Sequence, residues 1–337
     1  MRGFSGFNTL GLSSAEGVVD VRILIYGAGN IGCLYAARLA QSGQDVTILA
    51  RGARYDSIRD QGITLEEAVS QERTETQIPV IDRLSPEAAF DLVLVVLPSP
   101  ALTEVLPILA ANLHTPNVMF FGNNASGPEP LVAALGRDRV LLGFPGAAGV
   151  PENGAIRYVI TSRREQPTTI GELDGSDSER INTIARALRL AGFPVSICPH
   201  MDAWLKTHAA KILPTAGALF YAGGELDQLA ANEAAIRLMV RAMRECLDVL
   251  AANNIPITPP NHRVLRWLPE PLIVYIMKRM LAAKAMAIKI GHAKHARHEL
   301  EALRQAFEAL NAEARLPTPA MDLLHTGLDQ ARARSAA

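Results

Sequence analysis

The chain has 337 residues, 49% hydrophobic and 20% charged, and 33 Lys and Arg against 34 Asp and Glu leave a formal net charge of -1. That length predicts two domains, and the balanced charge leaves no basic excess for nucleic acid. Three cysteines, Cys33, Cys198 and Cys246, stand far apart, which fits reduced thiols in a cytoplasmic protein better than a disulfide framework or a zinc spacing.

In chain order, residues 1–20 are rich in Gly and Ser and lack an apolar core. They read as a disordered leader, or as residues ahead of the true start, rather than a signal peptide. The run Val21-Arg22-Ile23-Leu24-Ile25-Tyr26 then ends in Gly27-Ala28-Gly29-Asn30-Ile31-Gly32, and residues 33–40 continue with a helical apolar period. Strand, G-x-G-x-x-G and helix in that order form the dinucleotide-binding fingerprint. Gly27 permits the tight turn, Gly29 the approach of a pyrophosphate, and Gly32 close packing of helix on strand. The helix N-terminus offers free N–H groups to phosphate. A second strand follows at Gln44-Asp45-Val46-Thr47-Ile48-Leu49-Ala50, and after it stands Arg51, where an NAD-binding chain has an acid for the ribose 2′-hydroxyl. A guanidinium binds a 2′-phosphate that a carboxylate would repel, so the preference read here is NADP(H). The competing reading of Arg51 is a solvated loop arginine.

Further apolar runs predict strands at Asp91-Leu92-Val93-Leu94-Val95-Val96-Leu97, at Asn117-Val118-Met119-Phe120-Phe121 before the turn-rich Gly122-Asn123-Asn124-Ala125-Ser126-Gly127-Pro128, at Val140-Leu141-Leu142-Gly143, and at residues 158–161 and 168–173. Residues 176–191 read as a capped helix. After Pro199 the periodicity is helical, over residues 202–219, 227–253, 271–290 and 292–314, punctuated by prolines. Lys278, Arg279, Lys284 and Lys289 interrupt the most apolar of these, so no segment has the length of a bilayer span. The expected fold is an α/β Rossmann-type dinucleotide-binding domain over residues 21–198 followed by an all-α domain over 199–330, with the active site in the cleft between them.

At the entry to the helical half, Trp204-Leu205-Lys206 carries a W-x-K pattern. With Gly27, Gly29 and Gly32, Arg51, Phe121-Gly122-Asn123 and a late glutamate, Glu299, the chain resembles the ketopantoate reductase (2-dehydropantoate 2-reductase) family from Val21 to about Leu324. The resemblance implies an NADPH-dependent reduction of a ketone, with Lys206 as the catalytic acid and Glu299 as the active-site carboxylate. An ammonium at the carbonyl oxygen stabilises the developing negative charge and donates the proton. The cofactor contacts expected are Gly27, Ala28, Gly29, Asn30, Ile31, Gly32, Arg51, Leu97 and Asn123. The expected partners are a small-molecule ketone and a second copy of the chain, with no nucleic acid, membrane or metal.

Blander readings stand beside these. Lys211 fits a solvated surface lysine better than Lys206 does. Glu299 sits among His298, Glu301 and Arg304 and fits a solvated helix face. His292, His295 and His298 drift around a helix and lack a completing carboxylate or cysteine. His208 reads as a packed or capping histidine, and Met277, Met280, Leu281 and Met286 as core or subunit interface.

The chain also departs from the family pattern. Ala210 and Pro214 replace asparagines one and two turns after the lysine, Pro98 replaces a lysine near the cofactor phosphates, and Ala287 and Gly291 replace a serine and an aspartate before the glutamate. The run Glu299-Leu300-Glu301-Ala302-Leu303-Arg304-Gln305 stands where an Asp-Tyr-Ile-Asn-Gly-like run is usual. The redox machinery reads as retained and the polar substrate set as lost, which predicts a more apolar pocket. Pantothenate biosynthesis with ketopantoate as substrate, an altered ketone, and a catalytically inactive NADP(H)-binding sensor are the functions this leaves open.

Overall fold

The computed structural model describes residues 21–282 and 297–336. The leader, His292, His295, Ala287, Gly291 and Met286 lie outside the described residues. The chain runs β1 (Arg22–Tyr26), α1 (Asn30–Gln41), β2 (Asp45–Leu49), α2 (Ala53–Gln61), β3 (Ile63–Glu67), β4 (Arg73–Thr76), β5 (Val80–Ile81), β6 (Leu92–Val95), α3 (Leu102–Ala111), β7 (Val118–Phe121), α4 (Glu129–Leu135) and β8 (Val140–Phe144). It continues through β9 (Ala147–Glu152), β10 (Ala155–Ile160), β11 (Thr168–Glu172), α5 (Glu179–Leu190) and β12 (Val195–Ile197).

Eight of these strands form one sheet in the order β12-β11-β8-β7-β6-β1-β2-β5. From β5 to β8 all pairings are parallel, and β11 enters antiparallel to β8. The central strands are buried along their length, as β6 with its Leu-Val-Leu-Val illustrates. Both faces of a parallel sheet are covered, so its strands read as unbroken apolar runs. The order turns back beside β1, between β1 and β6, where open α/β sheets form a crevice at their carboxyl edge.

A second sheet, β4-β3-β10-β9, lies outside α1. This layer was not anticipated, and its reason is visible in α1. Residues 32–37 and Leu39 of that helix are all buried, because a helix apolar on every side needs cover on both. Tyr35 is its most constrained side chain. The ring stacks on Phe193 at 4.0 Å and meets Phe121 edge-on at 4.9 Å. Its hydroxyl shares a 2.6 Å hydrogen bond with Thr168 Oγ1 and accepts one from the Gly146 N–H, so no polar atom of the tyrosine is stranded in the core.

The second half is helical: α6 (Met201–Tyr221), α7 (Leu226–Ala231), α8 (Glu233–Ala252), a 3-10 turn over Pro260–Arg266, α9 (Glu270–Leu281), α10 (Arg297–Ala314) and α11 (Pro319–Ala336). The single helix expected over residues 227–253 is two. The Asn232 side chain accepts from the Ala235 N–H and caps a fresh start. The helix expected from residue 176 begins at Glu179 for the same reason, with Ser178 as its cap. α6 is the centre of this half, packed on α8 and α11. A Cβ on Gly217 would stand 2.9 Å from Leu324 Cβ, so glycine lets α11 close on α6. Glu245 of α8 accepts from the Ala320 and Met321 N–H groups and so fixes the start of α11.

Lys211 is not the solvated lysine expected of it. It is half-buried, and its Nζ lies 3.3 Å from His262 Nε2 on the 3-10 turn. Burial pushes Lys211 down to about 8 from an ordinary 10.5, and burial together with the Lys211 charge pushes His262 down to about 4 from 6.5. Unfolding therefore restores proton affinity at both groups. Between about pH 8 and 10.5 the unfolded chain carries more protons at Lys211 than the fold does, so stability rises with pH there. His262 adds a second rise between about 4 and 6.5. Lys211→Met should abolish the upper rise and raise the Tm at pH 7, on a scale of about 2–4 °C per kcal/mol. Thermal melts from pH 6 to 10 read this, and a lower Tm for the variant at pH 7 would contradict it.

Candidate active site

Three strand ends meet at the carboxyl edge of the sheet. Gly27 follows β1 with φ of +124°, and a Cβ there would overlap the Val96 carbonyl oxygen and stand 2.9 Å from Leu97 Cδ2 beyond β6. Gly122, after β7, faces the Leu97 carbonyl from the other side, at 3.6 Å from its notional Cβ. Leu97 is thus wedged between two glycine turns. A Cβ on Gly32 would overlap the Gly27 carbonyl oxygen, whereas one on Gly29 would meet nothing within 4 Å. Two of the glycines are required by packing, and the third leaves open space at the α1 N-terminus.

That N-terminus suits an anion. No side chain caps it and its first turn holds no acid, so its N–H groups and the dipole remain available. Asn30 is turned away, and its Nδ2 donates to the Gly149 carbonyl at 3.4 Å. Arg51 is exposed, with Nη2 3.4 Å from the Tyr26 hydroxyl. Arg54 was not singled out from the sequence, yet it lies across the glycine turn. Its Nε donates to the Ala28 carbonyl at 3.1 Å and its Nη2 to Cys33 Sγ at 3.1 Å. Two guanidiniums therefore flank the open turn. The open Gly29 face, the uncapped helix and these cations fit a dinucleotide diphosphate. The residues that would hold it are the Gly27–Gly32 turn, Arg51 and Arg54.

Across the crevice stands α6. Lys206 is only 11% exposed through its side chain, and its Nζ donates to Asp202 Oδ2 at 2.5 Å, one turn earlier. A Cβ on Gly127 would lie 3.6 Å from the same Nζ, so the turn after β7 reaches the lysine. Trp204 of the W-x-K pattern packs into the sheet edge beside Phe144, 5.4 Å between ring centroids. His208 stacks parallel to Trp204 and lies 4.2 Å from Phe144, as a packed histidine. Asp202 was passed over, although an acid four residues before a lysine is a recognised helical pair.

Glu299 comes from α10, which packs on the 3-10 turn Ser99–Ala101 and on α6. It does not sit on a solvated face. Glu299 is half-buried and accepts from Asn123 Nδ2 at 3.0 Å, and burial raises its carboxyl above the ordinary range while the Asn123 bond opposes that rise. Its neighbour His298 is exposed. The loop carrying Asn123 is rigid: Ser99 Oγ donates to the Asn123 carbonyl at 2.6 Å, and Asn124 Oδ1 accepts from the Ser126 and Gly127 N–H groups. Asn123 Oδ1 is buried with no hydrogen-bond partner among the described residues, an unused acceptor beside Glu299. Ala210 and Pro214, beyond Lys206 on α6, are both buried and offer no amide. Among the described residues no group of three or more His, Cys, Asp or Glu could hold a metal ion. No helix among them is long and apolar enough to cross a membrane.

Comparison with known proteins agrees with this geometry. Residues 23–175 match the family model described as Ketopantoate reductase PanE/ApbA. The uncharacterized oxidoreductase YkpB of Bacillus subtilis (strain 168) is 25% identical over 241 residues, covering 71% of this chain and 78% of its own. A 2-dehydropantoate 2-reductase of Mesorhizobium japonicum is 29% identical over 214 residues, 55% of this chain and 63% of its own. Among solved structures, 2-dehydropantoate 2-reductase from Geobacter metallireducens GS-15 superposes with a TM-score of 0.74 at 20% identity, over 92% of this chain and 100% of that one. The ternary structure of D-mandelate dehydrogenase with NADH and anilino(oxo)acetate gives 0.72 at 15% identity, over 92% and 99%. At such identities the superpositions speak for the fold alone, and the family model speaks for residues 23–175. Over residues 23–175 the chain is similar to the ketopantoate reductase family, and its overall fold is that of solved structures bearing that name.

Proposed function

We propose that the protein is an NADPH-dependent reductase of a ketone less polar than ketopantoate, working in the crevice between the sheet edge and α6. The observation that carries this reading is the nearly buried Lys206 ammonium, held by Asp202 and facing the turn after β7. A bound dihydronicotinamide supplies a hydride to a carbonyl carbon. Lys206 stabilises the charge that develops on the carbonyl oxygen and gives it a proton. Asn123 Oδ1 accepts from an N–H or O–H of a ligand, and Glu299, held by Asn123 Nδ2, lines the far side. Arg51 and Arg54 supply the positive charge that a 2′-phosphate needs. The substrate class rests on Ala210 and Pro214, which put no hydrogen-bonding side chain on α6 one and two turns beyond Lys206.

Three measurements test this reading. NADPH should bind more tightly than NADH, and Arg51→Ala should cost NADPH about 1.5–3 kcal/mol while leaving NADH nearly unchanged. Equal affinity of the unaltered protein for both cofactors sinks the assignment. Lys206→Ala should lower kcat by about 10²–10³-fold or more with NADPH affinity retained, and a variant turning over at the full rate excludes Lys206 as the acid. In steady-state kinetics over a panel of 2-oxo acids and aryl ketones, ketopantoate should trail the best substrate by roughly a hundredfold, the scale of two lost hydrogen bonds. Ketopantoate as the best substrate refutes the apolar pocket. NADPH binding without reduction of any ketone would favour the sensor function instead.

A further inference from the structure

Lysine is rare in this chain. Six lysines stand against 27 arginines, and all six fall between residues 206 and 294. A fixed positive charge is supplied by arginine almost everywhere, whereas position 206 holds a side chain that can release a proton. Two of the six, Lys206 and Lys211, lie on α6 and are withdrawn from solvent, the first buried and the second half-buried. They differ in company. Lys211 has a histidine beside it and no acid within ion-pair reach among the described residues, and burial pushes it down to about 8. Lys206 has two acids.

Asp202 is the nearer, with Oδ2 accepting from Lys206 Nζ at 2.5 Å. It stands in the first turn of α6, a place that favours a negative charge, and four residues before the lysine, the favourable order for such a pair. Its other oxygen, Oδ1, is buried with no hydrogen-bond partner among the described residues. The carboxylate therefore caps no backbone group and serves Lys206 alone. Glu172, a buried acid of β11, is the contrast, with both oxygens taken by Arg180 and one also by Ser178. The second acid is Glu129, exposed in the first turn of α4. A Cβ on Gly127 would overlap Glu129 Oε2 and lie 3.6 Å from Lys206 Nζ, so carboxylate and ammonium border the same spot, which a glycine leaves free.

The other charges on elements packed against α6 are paired or exposed. β8 brings none. α10 brings Glu299, held by Asn123, and Arg304, paired with Glu301 and Glu308. On α8, Arg237 and Arg241 bind Glu270, Asp248 binds Arg266, Arg244 donates to the Leu265 and Leu268 carbonyls, and Glu245 seats α11. Asp227 of α7 and Asp322 of α11 are exposed, and His208 of α6 is stacked on Trp204.

We infer that Asp202, seconded by Glu129, is the positioning residue that keeps the Lys206 ammonium charged and aimed at the turn after β7. Its service to proton donation rests on the reductase reading, but the charge itself is read without any turnover. With only six lysines, selective ¹³Cε labelling gives six signals that NMR follows from neutral to alkaline pH, assigned with Lys206→Met and Lys211→Met. An acid beside an ammonium favours the charged form, so removing it lets the proton leave at lower pH. Asp202→Asn should lower the midpoint of Lys206 by about one to three pH units and leave Lys211 in place. Glu129→Gln should lower it by less, and high salt should erase that smaller part. Asp202→Glu should restore most of the loss, and Asp202→Ser, a residue at home near a helix start, repeats the test if the amide does not fold. In turnover, the alkaline fall of kcat should move down by the same amount in Asp202→Asn, with NADPH affinity retained. A Lys206 midpoint that Asp202→Asn leaves unmoved, or that moves together with Lys211, overturns the inference. A shift confined to Lys206 in a protein that reduces no ketone supports it and refutes the reductase reading instead.

Discussion

Everything at the sheet edge depends on how closely α1 can approach β1. That approach is allowed only because positions 27 and 32 carry no side chain, since a Cβ on Gly32 would overlap the Gly27 carbonyl and one on Gly27 would overlap the Val96 carbonyl. With both absent, the helix N-terminus settles directly above the strand ends, and Leu97 is caught between the turns after β1 and β7. The Asn123 loop is then fixed in height, and with it the turn at Gly127 that reaches Lys206. One steric allowance sets both the uncapped α1 end of the crevice and its distance from α6.

The two halves of the crevice differ in how they satisfy their charges. On the dinucleotide side, Arg51 and Arg54 lean on neutral oxygens and a thiol, the Tyr26 hydroxyl, the Ala28 carbonyl and Cys33 Sγ, so their positive charge remains available to a ligand. On the α6 side, Lys206 is matched by Asp202 and Glu299 by Asn123. A nearly buried cation with its own carboxylate is compensated in place, whereas burying an unpaired charge is costly. The glycine-turn side of the crevice thus offers unpaired positive charge, whereas the α6 side holds its one lysine already paired with an acid.

The parts of this arrangement visible in the sequence were those with a strong local cause. β1, β6, β7 and β8 are covered on both faces and read as unbroken apolar runs, and the glycine spacing at 27, 29 and 32 has a steric reason at each position. Of the outer sheet only β10 was legible, as the apolar run at 158–161, because its other strands lack that signal. β4 is Arg-Thr-Glu-Thr, and β9 contains Gly149 and Pro151, both strand breakers. Its trace lay elsewhere, in the all-round apolar character of α1. Asp202 and Arg54 illustrate a different limit. Each stands within four residues of a residue already singled out, but its role comes from where its side chain lands. Glu299 was reached by matching to a family pattern, since in the sequence it is one acid on a charged stretch and only the fold brings it to Asn123.

The contact between Gly217 and Leu324 bears on how the chain acquires its structure. The dinucleotide half is built from neighbouring strands and helices, so it can consolidate as it emerges from the ribosome. α6, which carries Lys206, cannot. Its far end is sealed by α11, about a hundred residues later in synthesis, and α11 in turn is seated by Glu245. Until that segment arrives, α6 has an open apolar flank. The helical half thus waits on its last helix for closure, whereas the sheet half draws on segments already made.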